Sequence, residues 1–81
     1  MTQAEIKKFY EEQIEWYKKE LVWIQEQLDF ITKEFKWYKK QYGFVPFQYK
    51  EDLNRTRQRY YRNRKHAENQ IAKYTKRLAT M

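Results

Sequence analysis

The chain has 81 residues, enough for one small domain, and contains one glycine, one proline, 36% charged and 41% hydrophobic residues. So few turn-forming residues exclude a β fold with its many turns, and an aromatic content of 20% excludes an intrinsically disordered chain. No cysteine is present, which excludes disulfide and thiolate chemistry. The net charge of +7 lies entirely on one half: residues 1–49 carry eight lysines and eight acids, whereas residues 50–81 carry ten Lys or Arg and three acids.

The first predicted element is a long helix over residues 3–42. Thr2 followed three residues later by Glu5 is typical of a capping box, so we expect the helix to begin at Gln3. Apolar residues then recur in alternating steps of four and three, which is the heptad seam of a helix packed along another helix. A helix of this length would extend over roughly 60 Å. The seam consists of Tyr10, Ile14, Tyr17, Leu21, Ile24, Leu28, Ile31, Phe35, Tyr38 and Tyr42.

A turn over residues 43–47 and a second helix over residues 48–79 follow. Gly43 can adopt the left-handed conformation that ends a helix, and Pro46 cannot lie inside a continuing one. We expect the apolar turn to fold onto the helix ends, and Glu51 and Asp52 to lie at the positive end of the second helix. The second seam consists of Leu53, Arg57, Tyr60, Arg64, Ala67, Ile71, Tyr74 and Leu78.

The two seams stay in phase when the second helix folds back on the first. Opposed residues then have numbers that sum to 91 or 92, and Glu34 becomes an expected ion-pair partner of Arg57. We therefore predict an all-α, antiparallel helical hairpin that forms a single domain over residues 1–81. The predicted pairs include Ala67–Ile24, Tyr60–Ile31, Tyr74–Tyr17 and Arg57–Phe35.

A second apolar line runs along the first helix, well over 100° from the seam around the helix axis. A polar ribbon of Gln and Glu separates the two lines, so one partner helix cannot cover both. We predict that this aromatic stripe mediates self-association, as a dimer that forms a four-helix bundle or as a higher oligomer. Docking of a larger partner protein is the alternative. The aromatic stripe consists of Phe9, Trp16, Trp23, Phe30, Trp37 and Phe44, and the polar ribbon of Gln13, Glu20, Gln27, Glu34 and Gln41.

The sequence has few of the residues and motifs that are typical of enzyme active sites. His66 is the only histidine, serine does not occur, and a single glycine excludes a phosphate-binding glycine loop. We predict a non-enzymatic protein with no metal, no cofactor and no small-molecule substrate. The acidic N-terminal region is unlike a signal peptide, and no apolar run reaches the ~18 residues of a membrane span. A cytoplasmic protein without a membrane partner is therefore expected.

The strongest functional signal is a basic strip on the second helix. Five Arg and one Lys fall within residues 55–65, whereas the first helix uses only Lys. The planar guanidinium group suits phosphate, so this usage favours recognition of nucleic acid, DNA or RNA, over mere solubility. Tyr61 beside the strip could stack on a base or sugar. The alternatives are an inhibitor or adaptor that recognises an acidic protein surface, a coat-type assembly subunit, or a basic face that only keeps the protein soluble. The strip consists of Arg55, Arg59, Arg62, Lys65, His66, Asn69, Lys73 and Lys76.

Overall fold

A computed structural model describes all 81 residues and contains two α-helices, α1 (Gln3–Tyr42) and α2 (Phe47–Ala79). The second helix returns along the first, and together they form a rod of 60 × 17 × 15 Å. This confirms the predicted all-α helical hairpin, including the roughly 60 Å length expected from a rise of about 1.5 Å per residue.

The ends of α1 are fixed by the two predicted caps. The Glu5 backbone N–H donates a 3.2 Å hydrogen bond to Oγ1 of Thr2, which satisfies one of the free amides of the first turn. At the other end Gly43 adopts a left-handed conformation with φ of 76°, and its N–H donates to the Lys39 carbonyl at 2.9 Å. Both boundaries of α1 agree with the sequence prediction.

The start of α2 differs from the prediction by one residue. The helix begins at Phe47 because Pro46, with its restricted φ, leads directly into it, and the Pro46 carbonyl accepts the Lys50 N–H at 2.8 Å. Glu51 and Asp52 therefore lie beyond the first turn, which contains no acidic residue. The prediction that these two carboxylates lie at the positive end of the helix dipole is wrong.

The apolar turn is also more exposed than expected. Val45 is half-buried, but the side chains of Phe44 and Phe47 are 62% and 74% exposed. The end of a two-helix rod is too narrow to cover two phenyl rings and a valine together. The turn therefore presents apolar surface to solvent, contrary to the prediction that it folds onto the helix ends.

A thin core lies along the line where the helices meet. Every predicted seam residue of both helices is buried or half-buried except Tyr42, which is exposed, so the heptad interpretation is confirmed. Two helices can enclose only one row of side chains, which explains why few residues are buried completely. The five buried residues are Ile24, Leu28, Ile31, Leu53 and Ala67.

Near the turn, the predicted pairing of Arg57 with Phe35 is confirmed. The guanidinium carbon of Arg57 lies 4.7 Å from the centre of the Phe35 ring, close enough for a cation–π interaction. The predicted ion pair between Arg57 and Glu34 is wrong, because the Glu34 carboxylate accepts a hydrogen bond from the Tyr49 hydroxyl instead.

Farther from the turn, the aromatic pairs differ from the prediction. The ring of Tyr74 packs on Tyr10 with centroids 5.4 Å apart, and Tyr17 packs edge-on against His66 at 6.1 Å. These residue numbers sum to 84 and 83, about one heptad from the predicted 91. The helices are not shifted by a whole heptad, because Phe35 and Arg57, whose numbers sum to 92, also meet. A side chain in a seam can contact residues from successive turns of the partner helix, so the pattern alone does not determine which aromatic rings meet.

Candidate nucleic-acid interface

All eight residues of the basic strip are exposed along one face of α2. The buried Leu53 and Ala67 lie on the opposite face, where α2 contacts α1. From Arg55 to Lys76 the strip extends about 30 Å at 1.5 Å per residue. The structure therefore brings the predicted residues onto one continuous surface, which is turned away from α1 except at His66.

The cations of the strip have no carboxylate partner. The protein contains two ion pairs, Lys7–Glu11 and Lys8–Glu12, and both lie on α1 with N–O distances of 4.0 Å. Residues 53–67 of α2 contain no acid at all. No carboxylate forms an ion pair with the strip, which therefore carries a net positive charge and creates an attractive field for a polyanion.

A shallow surface depression lies at the N-terminal end of the strip. Arg55 and Arg62 line it together with Asn54, Gln58 and Glu51, and it contains no apolar residue. Asn54 and Gln58 were not among the predicted site residues. The spacing could have identified them, because Gln58 lies one helical turn from both arginines and Asn54 lies one turn before Gln58. Their amides can donate to phosphate and sugar oxygens, whereas the Glu51 carboxylate limits anion binding at this one edge.

His66 lies at the edge of the strip that faces α1. Its ring contacts Tyr17, and with Asn63 it borders a small groove whose other wall includes Trp16 and Glu20 of α1. The imidazole therefore marks the boundary between the strip and the side of the hairpin that carries the aromatic stripe.

Tyr61 is 40% exposed beside the strip, but one face of its ring is covered by Arg64. The guanidinium carbon of Arg64 lies 5.1 Å from the centre of the Tyr61 ring. A base could stack on the opposite face of the ring. The nearby Arg64 cation would also attract a phosphate group to this part of the strip.

The aromatic stripe remains largely uncovered. Five of its residues lie on α1, whereas Phe44, predicted on the same line of the helix, lies in the turn beyond the end of α1 at Tyr42. Two of its members touch α2 at one edge: Trp23 lies 5.6 Å from Tyr60 and Phe9 lies 6.3 Å from Tyr74, measured between ring centroids. Each of the six rings nevertheless stays 43–62% exposed. Exposed aromatic side chains in such number are rare on monomeric proteins, which makes the stripe a candidate contact surface for another molecule.

Between the seam and the stripe, the polar ribbon is half-buried over Gln13, Glu20, Gln27 and Glu34. The Tyr49 hydroxyl donates a 2.8 Å hydrogen bond to Oε2 of Glu34. This bond to the carboxylate, together with burial, raises the pKa of Tyr49 to about 12. The ribbon is therefore part of the contact between the helices, and only Gln41 near the turn is exposed.

Neither helix offers a stretch with the length and apolar character needed to cross a lipid bilayer. No three His, Asp or Glu side chains come together where they could hold a metal ion. Comparisons with protein families, with curated proteins and with solved structures found no match to this chain. Inference about its function therefore rests on the geometry and charge described above.

Proposed function

We propose that the protein is a non-enzymatic nucleic-acid-binding protein that contacts phosphates through the basic strip of α2. The observation that carries this proposal is the row of exposed cations that has no carboxylate partner in the chain. Lysine would serve solubility equally well, but the central part of α2 uses arginine, whose planar fork matches two phosphate oxygens at once.

Binding of this kind is electrostatic and largely independent of base sequence. Each cation that neutralises a phosphate releases a condensed counterion, so affinity falls steeply as salt rises. A strip of about 30 Å corresponds to roughly nine nucleotide steps along one strand at ~3.4 Å each. The amides of Gln58 and Asn69 lie among these cations and can add contacts to sugars or base edges.

We further propose that the aromatic stripe of α1 mediates self-association, so that two hairpins form a four-helix assembly. The exposure of five aromatic rings along a single line of α1, with Phe44 exposed beyond its end, supports this step. The stripe and the basic strip lie on different helices, which allows one surface to assemble the protein while the other binds its ligand.

A second candidate function is an adaptor or inhibitor that binds an acidic partner protein. The exposed rings of Tyr42 and Phe47 favour it, because they enlarge the apolar surface around Phe44, the last residue of the stripe. A coat-type assembly subunit would combine stripe-mediated packing with the same basic strip. Under either alternative, the cations of α2 would still recognise acidic groups.

The test is a titration of a labelled duplex and a labelled single strand at about 50 and 200 mM salt, conditions over which phosphate-dominated binding weakens by orders of magnitude. We expect tight binding at low salt, and a large loss when Arg55, Arg59 and Arg62 are all changed to Ala. The matched control changes three exposed lysines of α1, Lys18, Lys36 and Lys39, to Ala. No binding at low salt, or equal losses in both triple variants, would rule out recognition by the strip.

A further inference from the structure

We propose that two copies of the chain pair through α1 in an antiparallel arrangement, with Trp23 of both copies on the two-fold axis. The proposal rests on the self-association given above and specifies its geometry. It is carried by the aromatic stripe and by a line of charged residues beside it.

The period of the stripe indicates what kind of surface covers it. On α1 the aromatic residues of the stripe recur every seven residues from Phe9 to Trp37, over about 42 Å of helix at 1.5 Å per residue. A seven-residue period keeps a line of side chains facing one partner helix along its whole length. A second α1 has the matching length and the matching period.

The aromatic stripe alone allows several antiparallel registers. Any register in which opposed residue numbers sum to 39, 46, 53 or 60 places aromatic rings against aromatic rings. Another feature must therefore distinguish among registers that differ by one heptad.

The charged line that flanks the stripe makes this distinction. Beside the stripe, on the side away from α2, every seventh residue of α1 from Glu5 to Lys40 is charged, and all of these residues are exposed. Only Glu12 among them has an ion-pair partner within the chain, the weak contact from Lys8. This outer charged line consists of Glu5, Glu12, Lys19, Glu26, Lys33 and Lys40.

When Trp23 faces Trp23 of the partner subunit, every residue of the outer charged line faces the opposite charge. In two antiparallel helices the same flank of each copy meets, at nearly the same height as the aromatic layers. The numbers of the residues that face each other on this flank then sum to 45, and the two-fold axis generates each pair twice. The pairs are Glu5 with the partner's Lys40, Glu12 with the partner's Lys33, and Lys19 with the partner's Glu26.

Shifts by one heptad place like charges together. One shift opposes Lys19 to the partner's Lys33 and Glu26 to the partner's Glu26. The opposite shift brings Lys19 against the partner's Lys19. The polar ribbon agrees with this selection. A shift of one heptad in either direction sets Glu20 against a carboxylate, whereas the proposed register sets it against the partner's Gln27. Like charges across such flanks disfavour wrong registers, as they do in coiled coils.

The area of the contact is adequate for a specific dimer. Five aromatic layers form in this register, and each ring, which has roughly 200 Å² of surface, is about half exposed in the single chain. Their burial amounts to on the order of 1,000 Å² in total, and the stems of the flanking Lys and Glu raise it toward the ~1,200 Å² of the smaller specific interfaces. The basic strip points away from α1, so this pairing leaves both strips exposed.

Cysteine crosslinking tests the register directly, because the chain has no cysteine of its own. Trp23→Cys brings two sulfur atoms together at the axis, and we expect mild oxidation to give a covalent dimer. Phe30→Cys is the matched variant: its two sulfurs would be 14 residues apart along the paired helices, about 21 Å, and should not crosslink. Crosslinking of Phe30→Cys but not of Trp23→Cys would place the axis elsewhere and overturn the proposal.

Charge exchange provides a second test that leaves every aromatic ring in place. Lys19→Glu and Glu26→Lys each create two repulsive pairs, so we expect each to weaken the dimer about tenfold or more, whereas the double variant restores it. Lys18→Glu, on the opposite side of α1, changes the same charge and should have no effect. Sedimentation equilibrium measures all four variants. Single variants that dimerise as well as the unchanged protein would contradict the register.

Both experiments are carried out without nucleic acid, so the two proposals fail independently. A chain that stays monomeric at every concentration would refute the pairing while the salt-dependent titration could still succeed. If the protein forms a dimer with the expected crosslinks but binds neither duplex nor single strand, the proposed pairing is supported and the proposed nucleic-acid binding is refuted.

Discussion

The hydroxyl of Tyr49 and the carboxylate of Glu34 form the only hydrogen bond between side chains of the two helices. Tyr49 lies in the first turn of α2, and its ring also packs on Tyr38 with centroids 4.7 Å apart. No ion pair joins the helices elsewhere. Tyr49 therefore stabilises the contact between the beginning of α2 and α1, while packing along the apolar seam stabilises the rest of the hairpin.

Changing Tyr49 to Phe should lower the free energy of unfolding by about 1 kcal/mol, because it removes a hydrogen bond to a charged acceptor and leaves the ring packing intact. Urea denaturation followed by circular dichroism measures the change. Tyr42→Phe is the matched control, since Tyr42 is 59% exposed and its hydroxyl makes no hydrogen bond, and its stability should be unaffected. Equal stability of all three proteins would show that water replaces the Tyr49 bond without loss.

The same bond predicts a dependence on alkaline pH. The pKa of Tyr49 is raised from 10.0 to about 12 in the folded chain, because its neutral hydroxyl donates to Glu34 and is partly buried. The unfolded chain therefore loses this proton at lower pH than the folded chain, so the contribution of Tyr49 is complete below pH 10 and declines as pH rises from 10 toward 12. The stability difference between the unchanged protein and Tyr49→Phe should narrow over that interval. A difference that stays constant would contradict the raised pKa.

Local signals in the sequence were sufficient for the helices and for their seams. Thr2 and Gly43 act through hydrogen bonds to residues three or four positions away, so their roles can be read from short stretches of chain. The seams depend only on spacing along each helix. These features account for the correct boundaries of α1 and for the burial of Ile24 and Ala67.

Features that depend on how the helices meet could not be predicted in the same way. The Tyr49–Glu34 bond and the contact of Tyr74 with Tyr10 require a known register, and a heptad pattern is consistent with more than one. The basic strip was predictable because it lies on one face of one helix. Whether it binds nucleic acid stays a prediction, since no contact within the chain bears on it.

Gly43 should be sensitive to substitution although there is space for a side chain. A Cβ atom at this position would meet nothing within 4 Å, so the cost arises from the backbone alone, whose φ of 76° is strained for L-residues. We expect Gly43→Ala to destabilise the hairpin by about 1 kcal/mol and Gly43→Asn by less, because asparagine tolerates this conformation. Thermal unfolding of the two variants distinguishes a backbone cost from a steric one. A steric cost would destabilise Gly43→Asn more than Gly43→Ala, because asparagine has the larger side chain.

Replacing arginine by lysine at Arg55, Arg59 and Arg62 separates charge from geometry in the proposed phosphate contacts. Three lysines retain the charge, so the dependence of log affinity on log salt should keep its slope, whereas three alanines should flatten it by roughly two to three units. If the guanidinium fork binds phosphate through two hydrogen bonds, the lysine variant should still lose about tenfold or more in affinity at every salt concentration. Fluorescence anisotropy of a labelled strand measures both quantities. A lysine variant that binds as tightly as the unchanged protein would mean that the strip acts only through its net charge, and that the arginines of α2 serve some purpose other than bidentate contact.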